Sequence, residues 1–177
     1  MKKFTKAFAM AVMCLVSLFA FTGCDWFINP KTFSQIGITI ELDTSFLEYD
    51  WDETEDEWGT WGYYELSSTK YIFGASKDSI AWYEAEKEVE NLREVAEMYF
   101  FSEGEDGHAL TIEEYTDENT TFFYSIDDHV DKEGDRIVYL NVVMEGAGHY
   151  YEMYFGCFHK DYNQEKILGW AKTIRVV

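Results

Sequence analysis

Cys157 and His159 stand two residues apart in an alternating apolar stretch, so a strand there would put thiol and imidazole on one face. That pair could ligate a metal or act as nucleophile and base. The same face would also carry Met153 and Phe155, so Cys157 reads better as a small core residue and His159 as the end of its strand. His108, His129 and His149 fall at expected turns or strand ends and are not spaced as a ligand set. The chain contains no Gly-x-Ser-x-Gly, His-Glu-x-x-His, Cys-x-x-Cys or glycine-rich phosphate loop. No catalytic residue, metal ligand or cofactor is therefore assigned.

The densest chemistry is acidic. Between Glu48 and Glu65 lie Asp50, Asp52, Glu53, Glu55, Asp56 and Glu57, interleaved with Tyr49, Trp51, Trp58, Trp61, Tyr63 and Tyr64. Carboxylates suit calcium, but an EF-hand loop from Asp50 would need glycine sixth and glutamate twelfth, where Glu55 and Trp61 stand. The segment 48–60 is expected to be a solvated loop. Trp51, Asp52, Glu53, Glu55, Asp56 and Trp58 form the candidate binding surface, suited to sugar rings or to a basic protein partner. Trp61 and Tyr63 open a strand and are the aromatics expected to turn inward.

What must position these residues is one folded domain. All 34 acidic residues follow Cys24, with 11 of the 14 basic ones, a formal charge of −23 for that part of the chain. Such a surface repels phosphate backbones, so no nucleic-acid partner is expected, and it gives no help to adsorption on anionic lipid. An acidic excess can signal disorder, but disordered chains lack aromatics, and this one is 19% aromatic with a single proline.

Ile36, Ile38, Ile40 and Leu42 alternate with polar residues, the pattern of a first strand. Residues 63–67 and 71–75 read as a strand pair around Ser68-Thr69. Over 77–101, apolar residues at steps of three and four fit one long helix. The preferred partition is a strand over 80–86 and a helix over 91–101. Strands are expected over 109–115 and 121–126, a turn over 131–135, and a strand whose inner face is Val138, Leu140, Val142 and Met144. A strand over 150–158 follows, then a helix over 162–172 with Asp161 as N-cap, and a closing strand over 173–177.

The N-terminus is an address. Lys2, Lys3 and Lys6 precede a stretch from Ala7 to Phe21 that is apolar apart from Ser17, and Phe21-Thr22-Gly23-Cys24 leads into acidic sequence. Thr22, Gly23 and Cys24 resemble the lipobox of bacterial lipoproteins, with Phe21 where leucine is usual. The resemblance implies a signal peptide over 1–23, lipid attachment at Cys24 and an acyl-anchored protein on the extracytoplasmic face of the membrane. A tether over 24–34 and a single domain over 35–177 are expected to follow.

Strands, a helix, an antiparallel meander, a helix and a last strand describe an α+β domain: an antiparallel β-sheet packed with two or three helices. The order is similar to the PsbP-like and DcrB-like extracytoplasmic proteins. It rests on Gly37-Ile38-Thr39-Ile40-Glu41-Leu42, on Tyr71-Ile72-Phe73-Gly74-Ala75 and on the ending Tyr151 to Val177. That likeness implies a non-catalytic binding or accessory module with a protein or cell-wall partner. The alternatives are an envelope hydrolase using acidic residues and a calcium-dependent adhesin domain.

Overall fold

The computed structural model describes residues 30–103 and 110–177, without the side chains of 101–103. Cys24, the leader and His108 lie outside the described residues. Among the described residues ten strands make two antiparallel sheets, accompanied by three helical segments and a 3-10 turn. The small sheet has the order β1-β2-β10, from β1 (Lys31–Gln35), β2 (Ile38–Leu42) and β10 (Arg175–Val176). The large one runs β3-β4-β5-β9-β8-β7-β6, from β3 (Leu47–Asp56), β4 (Gly59–Ser67), β5 (Tyr71–Ser79), β6 (Glu113–Thr116), β7 (Thr121–Val130), β8 (Arg136–Gly146) and β9 (His149–Phe158). Among the described residues no helix is long and apolar enough to cross a membrane.

Alternation builds the large sheet's inner face. Tyr64 and Leu66 of β4, Phe73 of β5, Leu140 and Val142 of β8, and Met153 and Phe155 of β9 are all buried in one cluster. The small sheet supplies Phe33, Ile38, Ile40 and Leu42 to it, and helix α3 (Gln164–Ala171) adds Ile167, Trp170 and Ala171. Aromatic edges lock the layers. Trp170 meets Phe46 at 5.3 Å and Tyr71 at 5.1 Å, both nearly perpendicular, and Phe73 meets Phe155 at 5.0 Å. Such pairs contribute about 0.5–1.5 kcal/mol each beyond burial. Cys157 lies in this core, as its face predicts.

The outer face is covered over part of its area. Helix α2 (Leu92–Glu103) lays Val95, Ala96 and Phe100 on Phe123, Val143 and Tyr150. Asn91 Oδ1 accepts the Glu94 amide, and Glu94 reaches back to the Glu90 amide, closing the helix start. Beyond this helix the sheet is floored by glycines. A Cβ on Gly74 would sit 2.3 Å from the Tyr154 ring, and one on Gly156 2.7 Å from the Tyr139 ring. Each glycine is the cross-strand partner of the tyrosine that roofs it.

Several boundaries differ from the sequence reading. Of the expected tether over 24–34, residues 24–29 lie outside the described residues and 31–34 belong to strand β1, which hides only Phe33 and so shows no alternation. Residues 80–86 are helical, not strand. A short turn (Ile80–Trp82) runs into a π-helical segment (Tyr83–Lys87), together α1, ended by left-handed Glu88. Tyr83 drives this, because it is buried edge-on to Tyr150 and its hydroxyl donates to Glu152. Asn163, not Asp161, caps α3, its Oδ1 accepting the Lys166 amide at 3.0 Å. Asp161 instead ends a 3-10 turn (His159–Asp161) and pairs with Lys70. The closing strand joins β2 in the small sheet and shrinks to two residues.

Candidate functional site

The acidic run is a β-hairpin and not a loop. β3 pairs with β4 from Leu47↔Ser67 to Asp56↔Gly59, and β3 is the outermost strand of the large sheet. All ten of its residues are exposed. A strand at a sheet edge can be polar on both faces, so it carries no apolar alternation to give it away. A register shift between Glu48 and Asp50 throws Tyr49 outward, 75% exposed. At the tip, Asp56 Oδ1 accepts the Trp58 amide at 2.8 Å, and Gly59 takes φ +122°, a backbone state that side chains disfavour.

The carboxylates are not equivalent. Asp50 Oδ1 accepts the Trp51 amide and Asp52 Oδ1 the Glu53 amide, both at 2.9 Å, so the strand's own side chains occupy these two backbone donors. Asp50 Oδ2 also accepts the Tyr63 hydroxyl at 2.9 Å, which holds that phenol above its usual titration range. Glu48 accepts the Tyr64 hydroxyl at 3.2 Å; burial, reinforced by that carboxylate, pushes this phenol far up. Glu53 meets the buried Lys77 ammonium at 2.6 Å, so this member of the candidate surface is committed to the fold. Asp52, Glu55 and Asp56 remain on the surface with Trp51 and Trp58.

Trp61 and Tyr63 are not buried. They share the outer face of β4, and with Trp58 they stay at least 36% exposed, while Tyr64 and Leu66 turn inward. The structure adds three residues that the sequence did not single out: Asp78 and Ser79 at the end of β5, and Trp82 on α1. Trp58, Trp61 and Trp82 line a hollow of about 210 Å³ that also contains Asp56 and Asp78. Burial raises the Asp78 carboxyl above the usual range, with Asp56 adding to the rise and His149 opposing it. Three indoles and two carboxylates thus line one hollow, groups whose chemistry would suit a cation. The ring faces attract it through their quadrupoles, and the carboxylates attract it by charge. The Lys87 ammonium already lies 5.1 Å from the Trp82 ring centre.

Two other features stand apart from the hairpin. Asp131, Glu133 and Asp135 converge in the β7–β8 turn, but Asp131 Oδ1 accepts the Glu133 and Asp135 amides and serves as the turn's own brace. Cys157 and His159 do not form a pair. Burial pushes the thiol up to about 11, while His159 sits beyond the strand against Asp128 at 3.1 Å.

Comparison with protein families finds none that matches the chain, and comparison with curated proteins finds no significant relative. Solved structures do resemble it. A Bacteroides thetaiotaomicron VPI-5482 protein aligns with TM-score 0.53 and 11% identity over 83% of this chain, which spans about half (48%) of that protein's length. The solution structure of cyanobacterial PsbP (CyanoP) from Synechocystis sp. PCC 6803 aligns with TM-score 0.54 and 8% identity over 88% of this chain and 96% of that one. At these identities the likeness concerns architecture alone: antiparallel sheets with few helices, in a PsbP-like fold.

Proposed function

We propose that this chain is a lipid-anchored extracytoplasmic binding module, without catalysis of its own, whose β3–β4 hairpin captures a cationic partner. The observation that carries this reading is the tryptophan-lined hollow at the hairpin tip, open beside exposed carboxylates. A lysine or arginine side chain of a protein partner suits it in size and charge. Each exposed cation–π contact contributes about 0.5–1 kcal/mol. Removing two indoles with Trp58→Ala and Trp61→Ala should therefore weaken capture of a lysine-rich peptide by roughly five- to thirtyfold at an unchanged melting temperature. Neutralising Asp52, Glu55 and Asp56 together should do the same and remove most of the salt dependence. Equal capture by these variants would sink the reading. The anchor is tested separately: Cys24→Ser should abolish lipid labelling and release the protein from membranes.

One observation favours a second reading, an envelope hydrolase using acidic residues. Asp78, raised by burial and adjoining Asp56 among tryptophans, has the character of a general acid beside a sugar platform. Turnover of a cell-wall oligosaccharide that Asp78→Asn abolishes while binding persists would establish it.

A further inference from the structure

The chain enters the described fold at Pro30, and the end of the domain around it differs in character from the end that carries the hollow. Pro30 lines a hollow of about 420 Å³ with Asp43, Lys166 and Trp170. The Lys166 ammonium lies 3.3 Å from Asp43 and 5.2 Å from the Tyr71 ring centre, which ties the chain entry to the start of β5. Cross-strand pairing then carries this end across the sheet. Leu47, Ser67, Ile72, Gly156 and Tyr139 form one transverse row, and Phe158 and Ile137 pair two rows nearer this end.

Leu47, Ile72 and Phe158 lie in these rows and Val130, paired with Arg136, in the one beyond them; each is at least 40% exposed. Ile72, Ile137, Tyr139 and Phe158 border an apolar groove of about 220 Å³ with Lys70 at its rim. The segments that close this end (30–31, 42–47, 67–71, 128–137 and 158–166) contain Lys31, Lys70, Lys132, Arg136, Lys160 and Lys166, six of the 11 cations after Cys24, and seven carboxylates. Lys70, Arg136 and Lys166 are paired with Asp161, Asp128 and Asp43; Lys31, Lys132 and Lys160 are exposed, and Lys160 stands 5.3 Å from the Phe158 ring centre. The hairpin 48–66, by contrast, has eight carboxylates and no cation.

We infer that this end rests on the bilayer surface, its exposed apolar residues at the headgroup boundary and its lysines against anionic lipid, with the hairpin tip directed away from the membrane. This rests on the anchoring reading. Only six residues separate Cys24 from Lys31, a reach of at most about 25 Å. A lipid at Cys24 thus keeps the Pro30 end close to the headgroups. Lysine stems lie along apolar surface while their ammonium groups meet phosphate, and each adds to attraction within the screening length. β3 leaves this end at Leu47 and reaches its tip ten residues on, about 33 Å away.

The test uses the chain from Cys24 onward in vesicles of phosphatidylglycerol and phosphatidylcholine containing a phospholipid with a photoactivatable headgroup. One sample is natively lipidated; the other is coupled through Cys24 to a maleimide lipid. Photo-adducts are mapped by mass spectrometry. They should concentrate in residues 67–72, 128–136 and 158–166, and be sparse in 50–64. Lys132→Glu with Lys160→Glu should lower their yield at least about fivefold at an unchanged melting temperature. Adducts spread evenly, adducts centred on 50–64, adducts that ignore the charge reversals, or cross-links from this end to a protein in intact membranes would each overturn the inference. Failure of the anchoring reading shows separately, as a Cys24 peptide without acyl chains in the native sample, while the coupled sample still reports orientation.

Discussion

Removing the Glu53 carboxylate tests whether the acidic hairpin is fastened to the core or merely laid against it. Lys77 lies on the inner face of β5, cross-strand from Gly62, which is itself opposite Glu53. Its side chain is 9% exposed and that of Glu53 36%. A charge-assisted hydrogen bond contributes about 1.5–3 kcal/mol, and leaving a fully buried charge without its partner costs about 3–5 kcal/mol. Water reaches the Glu53 side of this pair, which pulls the figure towards the lower range, about 2 kcal/mol for Glu53→Ala. For a domain of this size that is a loss of roughly 4–8 °C in Tm. Lys77→Met removes the buried charge and keeps the stem, so the double variant Glu53→Ala/Lys77→Met should recover most of the loss. Denaturant unfolding of the four proteins measures the coupling. A Glu53→Ala protein within about 0.5 kcal/mol of wild type, or a double variant that adds the single losses, would refute the reasoning.

Other outcomes follow from the same geometry. Cys157, buried with its thiol pushed up to about 11, should react slowly with a maleimide at pH 7 and quickly once the protein is unfolded. Gly74→Ala drives a Cβ into the Tyr154 ring and should cost about 1–3 kcal/mol, part of it restored by Tyr154→Ala; chemical denaturation of the pair reads this. Burial raises the Asp78 carboxyl, so its charged form is disfavoured in the fold. Asp78→Asn should therefore melt at or above the wild-type temperature at pH 7, and the difference should close as pH falls below the ordinary carboxylate range; melting curves between pH 3 and 8 check the sign.

The core of the fold was legible because its strands alternate. Val138 to Met144 and Tyr151 to Cys157 show period two, and their inward sets are all buried, while Asn141 and Val143 on the other face are buried as well. The start of α2 was legible from steps of three and four at Leu92, Ala96 and Tyr99. What escaped was structure set by contacts distant in sequence. β1 hides one side chain and exists through pairing with β2. β3 hides none and exists through pairing with β4. Its carboxylates looked like the mark of a loop, although a charged strand is tolerated wherever one side has no neighbour. Of the candidate surface, Trp58 and Asp56 line the hollow, while Glu53 is drawn inward by Lys77 from 24 residues away. Asp78 and Trp82 come from other elements, and no spacing rule links them to the tip. Composition counted charges without placing them, so the lysines gathered near the chain entry stayed hidden in a strongly negative total.

The paired carboxylates of β3 bear on crowding. A protein confined to a surface meets its own copies far more often than one in free solution, and an unpaired strand is where identical copies zip together into fibres. Asp50 and Asp52 already hold the amides of Trp51 and Glu53, and every neighbouring copy brings the same negative row. Two such edges repel before they can align. Neutralising the row should make β3 a better template for its own kind, so the same charges that would draw a cationic partner would also oppose edge-to-edge pairing.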